Sequence, residues 1–280
     1  MVDDGCPEGS GKIAQEILSA AGRDDCARVL FLKDAIESKL PIIVPMASTS
    51  ESQKGGSIQY GMWTAAEQGR SNHIIVFTDA DLSTHLGQVG LLVDRIVRDS
   101  MDAAIGSRRE PESIVVKKGV RNSRGKLFIY LWKRIITNLD YVVDTQCGFK
   151  AFRADVARVI LNDLIERKFA FDIELLLKTE LNRAGAIAKV PIAWIDSEAA
   201  STTTSIGPYL SMLKAMVGMY RKRLPANDVS DGFAAFIEGL SEEEWGSLVE
   251  NIPVAISERE PAEFSKFDGV SVESLRQVLS

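Results

Sequence analysis

Two carboxylates one residue apart, Asp79 and Asp81, close the apolar run His73–Thr78 (HIIVFT) in the order Asp79-Ala80-Asp81. In an open α/β sheet, ligands bind beyond the carboxyl ends of the strands. A turning backbone at that place can aim both side chains at one hard cation. Mg²⁺ or Mn²⁺ suits the pair, because these ions take oxygen ligands, keep several waters and are shared with substrate phosphates. The plainer reading is that Asp81 caps a helix beginning near Ser83 or Thr84. A D-x-D says little alone; directly after a buried strand it points to a cation held on a phosphate-bearing ligand.

Three further groups have the residue types for such a ligand. Val2-Asp3-Asp4-Gly5, followed by Pro7, Gly9 and Ser10, sets Asp3 and Asp4 at a strand end, suited to the donors and acceptors of a nucleotide base or ribose. A turn-forming Asp-Gly is the competing reading. Lys54-Gly55-Gly56 opens a helix, where backbone N–H groups and an ammonium favour an anion; a flexible loop fits equally well. Asp144-Thr145-Gln146-Cys147-Gly148-Phe149-Lys150 places a carboxylate and an amide just before a strand. Between them, Arg108 to Arg134 holds nine basic residues against Glu110 and Glu112, a local excess of +7 that suggests an anionic ligand. A solvated helix face is the ordinary fate of such a run. Nucleic acid is not expected, since no recognised binding motif is present.

The elements that must position these groups alternate between strands and helices, the pattern of a mainly parallel sheet with helices on both faces. Strands are expected at Arg28–Leu32, Pro41–Met46, His73–Thr78, Ala103–Gly106, Phe149–Phe152 and Ala186–Trp194. Helices are expected at Lys54–Gln68, Leu86–Val97, Gly119–Thr137, Asp155–Leu164 and Asp172–Arg183. Ser201–Ser205 is a polar connector, Pro208–Leu224 an amphipathic helix, and beyond Pro225 come short acidic helices. The expected division is therefore a sheet domain over 1–205, an amphipathic helix over 206–224 and an acidic helical appendage over 225–280.

The chain has 280 residues, 45% hydrophobic and 26% charged, ample for a sizeable core. Its net charge of −6 is unevenly spread: twelve acidic residues against Arg259, Lys266 and Arg276 leave 225–280 at −9. Three widely spaced cysteines, Cys6, Cys26 and Cys147, fit free thiols in a reducing, cytoplasmic setting better than a disulfide framework or zinc site. No stretch approaches the ~18 apolar residues of a membrane span, and no signal-peptide pattern opens the chain.

The ordered set VDDGCPEGS (2–10), KGGSIQYGMWTA (54–65), FTDADLS (77–83), GSRR (106–109), the Arg121–Arg124 cluster and DTQCGFKAF (144–152) resembles the family 2 glycosyltransferases. With FAFDIELL (169–176) and VPIAWID (190–196), the match is nearest the polyprenyl-phosphate and dolichyl-phosphate glucosyltransferase group. The resemblance runs from residue 2 to about 205. It implies a GT-A fold and an inverting, metal-dependent transfer of a sugar, glucose-like favoured, from a nucleotide diphosphate sugar to a polyprenyl phosphate or other acceptor. A UDP-sugar is the favoured donor and a GDP-sugar the alternative.

Residue by residue, the resemblance implies that Asp4, with Asp3, contacts base and ribose, and that Lys54 and Gly55 lie in the donor loop. Asp79 would assist the donor and Asp81 would bind the Mg²⁺ or Mn²⁺ bridging its diphosphate. Arg108, Arg121 and Arg124 would meet donor and acceptor phosphates, joined on the acceptor side by Gln146. Asp144 would lie near the attacking group, as general base for a hydroxyl acceptor; a phosphate acceptor needs none, and positioning then dominates. Phe171-Asp172-Ile173-Glu174 offers an acceptor-side carboxylate, with helix capping by Asp172 the stronger alternative.

Three departures from the family pattern matter. Relatives place a strand and a P-x-Y-N-E-like loop before VDDG, so a first strand is expected to be missing. Ser83 stands where many have a better metal ligand. Many also carry membrane helices, which suggests that the stripe of 208–224, followed by Arg221-Lys222-Arg223, lies on a membrane surface; packing on the sheet domain or on a second subunit, as in a homodimer, is the favoured alternative. The competing functions are a truncated or degenerate nucleotide-sugar-binding module without turnover, and a soluble transferase acting on a saccharide or small-molecule hydroxyl.

Overall fold

The computed structural model describes residues 1–116, 122–196 and 207–279. Its centre is a four-stranded sheet in the order β3-β6-β4-β7, from β3 (Ile74–Thr78), β4 (Ala103–Ser107), β6 (Phe149–Arg153) and β7 (Ile187–Pro191). β6 runs antiparallel to both β3 and β4, whereas β4 and β7 are parallel. Three strands therefore point one way, with β6 reversed between two of them. Two short parallel pairs flank this sheet: β1 (Val2–Asp3) with β2 (Leu30–Phe31), and β5 (Ile114–Val116) with β8 (Ala193–Ile195).

Period-2 alternation puts the sheet between two cores. Ala103, Ile105, Phe152 and Ile187 face one cluster, while Ala104, Ala151, Ala188 and Val190 face the other, with Leu92 and Ile96 of α4 (Val89–Arg98). On the first side lie α3 (Gly55–Ala66), α5 (Asn122–Ile135), α6 (Ala154–Ile160) and α7 (Phe171–Asn182). Helices α1 (Ser10–Ala20) and α2 (Leu32–Glu37) accompany the β1–β2 pair.

Two expectations fail locally. Pro41–Met46 is a run of turns with a cis Val44–Pro45 bond, since a proline inside the run cannot donate to a ladder. Ala186–Trp194 divides at Ile192 into β7 and β8, which join different sheets.

The helices after the polar connector, which itself lies outside the described residues, are built into the same core. Leu210, Leu213, Met216, Val217 and Tyr220 of α8 (Gly207–Arg223) are buried there with Phe233 and Ile237 of α9 (Asp228–Gly239) and Trp245 of α10 (Glu242–Glu250). Short α11 (Val254–Ser257) and α12 (Val272–Leu279) complete the chain. Tyr130 of α5 packs edge-on against Phe233 and Phe264 and donates its hydroxyl to the Val270 carbonyl at 2.7 Å. The apolar stripe of 208–224 is thus an inner face, not one offered to a membrane or a second copy. Its basic end is engaged too: Arg221 pairs with Glu238, Lys222 with Asp163 and Arg223 with Glu174. Among the described residues, no helix is long and apolar enough to cross a membrane.

Candidate active site

Reversal of β6 decides where the chemistry gathers. Phe149, the first residue of β6, pairs with Thr78, the last of β3, so the Asp144–Gly148 segment arrives at the strand end that carries Asp79. The Asp79 amide donates to the Gly148 carbonyl at 2.9 Å. Its carboxylate lies against the Gly148 Cα, where an added Cβ would fall 2.1 Å from Oδ2. Glycine is required there for space.

Lys54 reaches the same place from the opposite side. Gln53 and Lys54 hold left-handed backbones, with φ of 43° and 104°, immediately before α3. Such conformations cost about 1–3 kcal/mol each in non-glycine residues and persist where neighbours over-determine them. Asp4 does so by accepting from the Lys54 amide at 2.9 Å. The turn aims the Lys54 ammonium at Asp79, with Nζ 2.7 Å from Oδ1 and 2.9 Å from Oδ2. Burial alone would lower the Lys54 pKa, but the charges of Asp79, Asp172 and Asp81 outweigh it and hold it above its ordinary value.

The amides that open α3 are not available to an anion. Gly55 donates to the Ser52 carbonyl, Gly56 to the Arg167 carbonyl at 2.9 Å, and Ser57 to the Ser52 hydroxyl. Gly55 has a packing role, since a Cβ there would lie 2.5 Å from the Lys168 carbonyl oxygen. Within this described loop the positive charge is that of the Lys54 ammonium. Asp3 is likewise spent inside the protein, accepting from the Gly5 and Gly11 amides at 2.9 Å each. Asp4 differs: Oδ1 is buried without a well-formed hydrogen bond. Burial pushes its carboxyl up, moderated by the Ser52 hydroxyl and the Lys54 amide. A buried acceptor oxygen without a well-formed partner can take a ligand donor.

Asp81 accepts the Ser83 amide at 2.9 Å through Oδ1, an Asx turn rather than a helix cap. No group of three or more histidine, cysteine or acidic side chains among the described residues could enclose a metal. The donor set fits a hard cation that takes one or two carboxylate oxygens here and the rest from phosphate and water. Asp81 keeps one carboxylate oxygen without a hydrogen bond among the described residues, whereas both Asp79 oxygens are held by Lys54.

The basic stretch divides sharply. Arg108 is fixed on Asp144, through Nε at 2.7 Å, Nη2 at 2.6 Å and its backbone amide at 2.8 Å, and lies over the Trp194 ring at 5.1 Å. Burial would raise the Asp144 carboxyl, but the Arg108 charge and hydrogen bonds override it and hold it well below the usual carboxylate range. A base so weakened, with both oxygens occupied, is ill-suited to deprotonate a hydroxyl. Asp144 and Arg108, both expected at the site, thus form one closed pair rather than two separately exposed groups. Lys126 donates to the Ser257 carbonyl and pairs with Glu260, and Lys133 and Arg134 donate to the Asp140 and Phe264 carbonyls. Gln146 is partly buried and donates weakly to the Thr145 hydroxyl at 3.4 Å. Arg124 finds no hydrogen-bond or ion-pair partner among the described residues, and Arg121 lies outside them.

Beneath the site runs a support that the residue pattern did not disclose. Lys150, fully buried on β6, donates to Asp172 Oδ1 at 2.6 Å and to the Cys147 carbonyl at 2.5 Å, tying α7 to the loop that carries Gly148. Asp172 therefore neither caps α7 nor faces an acceptor. Glu174, also fully buried, accepts from the Ile165 and Glu166 amides and pairs with Arg223. The only sequence signal was polar residues inside otherwise apolar elements.

No family model matches the chain. Its sequence relatives are glycosyltransferases. The chain is 25% identical over 199 residues to glycosyltransferase AglD of Haloferax volcanii, covering 67% of this chain and 30% of that protein. It is 28% identical over 209 residues to the undecaprenyl-phosphate mannosyltransferase of Micrococcus luteus, covering 74% and 75%. It is 30% identical over 169 residues to the dolichyl-phosphate beta-glucosyltransferase of Drosophila melanogaster, covering 58% and 48%. The chain thus spans about half the length of this last relative and less of the first. Glucosyl-3-phosphoglycerate synthase from Mycobacterium tuberculosis, solved with Mn²⁺ and UDP-glucose, superposes with a TM-score of 0.54 at 18% identity, over 81% of this chain and 68% of that one. The chain shares the GT-A fold of that synthase, the fold that the motifs implied.

Proposed function

We propose that this protein is an inverting glycosyltransferase that moves a sugar, glucose-like favoured, from a UDP-sugar to a phosphate-bearing acceptor. The observation that carries this reading is the convergence of Asp4, Asp79 and Asp81 around Lys54, whose amide is held by Asp4 and whose ammonium is held by Asp79, while Asp4 keeps a buried oxygen without a well-formed bond and Asp81 an open one. Asp4 would meet the nucleoside, Lys54 would turn from Asp79 to the diphosphate, and Asp81 would hold the cation. Mg²⁺ or Mn²⁺ there would supply positive charge to the departing diphosphate.

Asp144 favours a phosphate over a hydroxyl acceptor. Its carboxylate is neutralised by Arg108, so the site has no ready base there. A phosphate dianion needs none: its oxygen attacks the anomeric carbon, the bond to the diphosphate breaks, and UDP leaves with the electron pair. One in-line displacement inverts the centre. The relatives' names, an undecaprenyl-phosphate and a dolichyl-phosphate transferase, support a polyprenyl phosphate as that acceptor.

The test is turnover of UDP-glucose, with GDP-mannose in parallel, on a short polyprenyl phosphate with and without Mn²⁺. Metal-dependent release of UDP with formation of a glycosyl phosphate supports the reading. UDP binding without turnover on any acceptor would make the chain a nucleotide-sugar-binding module instead.

A further inference from the structure

Reversed β6 ends beside the start of β3, at the end of these strands opposite Asp79. Arg153 closes β6 against Ile74, the first residue of β3, and the Ala154 amide donates to the His73 carbonyl at 2.9 Å. His73 is thereby brought together with Arg153 and with Asp155 and Arg158 of α6. Arg158 donates Nε to the carbonyl of Ala66, the last residue of α3, at 3.0 Å, and Arg70 follows four residues after Ala66. All of these side chains line one cavity of about 560 Å³, whose other wall includes Ile96 and Val97 of α4. Five residues of strand, at ~3.3 Å each, set it about 16 Å from Asp79.

The lining carries three guanidinium groups and one carboxylate, against the sign of a chain whose net charge is −6. Asp155 is spent on Arg153, which donates to it through Nε at 3.0 Å and Nη2 at 2.6 Å. Asp102, whose carbonyl accepts the Arg153 amide, has its carboxylate closed on Arg183 at 2.8 Å. Arg158 engages Nε alone. Among the described residues its Nη atoms, and the whole exposed side chain of Arg70, have no hydrogen-bond or ion-pair partner. His73 adds a buried Nδ1 without a hydrogen-bond partner. Two guanidinium groups without counter-ions on one cavity suit phosphate oxygens, which their planar forks bind in pairs. The volume lies in the range of small-molecule sites. Val97, apolar yet 65% exposed, and Ile74 give the cavity a hydrocarbon side.

We propose that this cavity is a second ligand site, for a small organic phosphate: Arg70 and Arg158 take the phosphate, and Ile74 and Val97 lie against the carbon skeleton. The site shares no residue with the donor and acceptor groups proposed above, so it stands or falls independently of sugar transfer.

Calorimetric titration with phenyl phosphate, inorganic phosphate and phenol, in excess UDP and Mg²⁺ to occupy the donor site, tests this. Wild-type protein is expected to bind phenyl phosphate, inorganic phosphate several-fold more weakly, and phenol not at all. Arg70→Gln and Arg158→Gln should each weaken phenyl phosphate fivefold or more and keep UDP affinity within twofold. Arg70 makes no bond among the described residues, so its variant should melt as wild type does. Unaltered binding in both variants would overturn the site. Loss of binding in Arg124→Gln would overturn it too, by moving the phosphate to the acceptor side. Equal affinity for the two phosphates would sink the organic ligand, and wild-type protein that binds neither would sink the whole proposal.

Discussion

Asp79 and Gly148 are in contact so close that a methyl group on Gly148 would have to occupy the position of the Asp79 carboxylate, 2.1 Å from Oδ2 and 2.2 Å from Cγ. The contact exists because reversed β6 begins opposite the end of β3, and it holds the carboxylate toward Lys54. Gly148→Ala should therefore push Asp79 off Lys54. We expect a stability loss of about 1–3 kcal/mol, typical of overpacking, together with a larger loss of Mn²⁺-dependent UDP affinity, tenfold or more by calorimetry. Unaltered affinity would show that the position of Asp79 is irrelevant to the donor.

Among the described residues Asp81 makes one hydrogen bond, from the Ser83 amide, so its removal should barely affect folding. Asp81→Ala is expected to abolish the Mn²⁺ dependence of UDP binding while leaving the melting curve in place. Calorimetry with and without the metal distinguishes this from a purely local turn role.

Lys150 and Asp172 form a buried pair, with side chains 0% and 3% exposed. Removing one partner strands the other charge, so Lys150→Met should cost about 3–5 kcal/mol in denaturant unfolding. The double variant Lys150→Met/Asp172→Leu should recover most of that. A double variant no better than the single would mean that the pair's hydrogen bond to the Cys147 carbonyl dominates.

Asp144 should give stability an acid limb. Its folded pKa lies below the ordinary value of 3.8. The unfolded chain therefore binds the proton more readily, and stability falls with decreasing pH. The contribution is complete above about pH 4 and is lost as the pH drops through the folded value. Asp144→Asn should destabilise the protein at neutral pH and flatten the decline below about pH 4. An equally steep acid decline in the variant would assign it to other carboxylates.

The acidic C-terminal helices cover α5, with Phe233, Trp245 and Phe264 in the common core. A chain ending at Leu224 should therefore lose its cooperative melting transition and aggregate, despite the shift to polar, acidic composition that begins there. A soluble, cooperatively melting fragment would restore a domain boundary near residue 225.

Much of the scaffold was determined by local pattern. The continuous apolar run HIIVFT was legible as a strand with a carboxylate pair at its end, although it proved to be an edge strand with only Ile75 buried, because a second strand covers it on one side alone. The amphipathic run of 208–224 had to be a helix with one buried side. Local periodicity reports which face is apolar and which residue types end a strand, and these followed from the chain alone.

What the periodicity does not carry is the identity of a partner far away in sequence. Arg108 and Arg109 are adjacent and alike, yet it is Arg108 that the approach of Asp144, 36 residues on, pairs and neutralises. Lys150 and Asp172 were legible as polar residues in apolar elements, but their pairing exists only because β6 lies against α7. The inner side of α8 was chosen in the same way, by α5, α9 and α10 closing over it rather than by anything in its own stripe. Electrostatic and packing partners are set by where the elements meet, so tertiary structure alone decided which charges remain for a ligand.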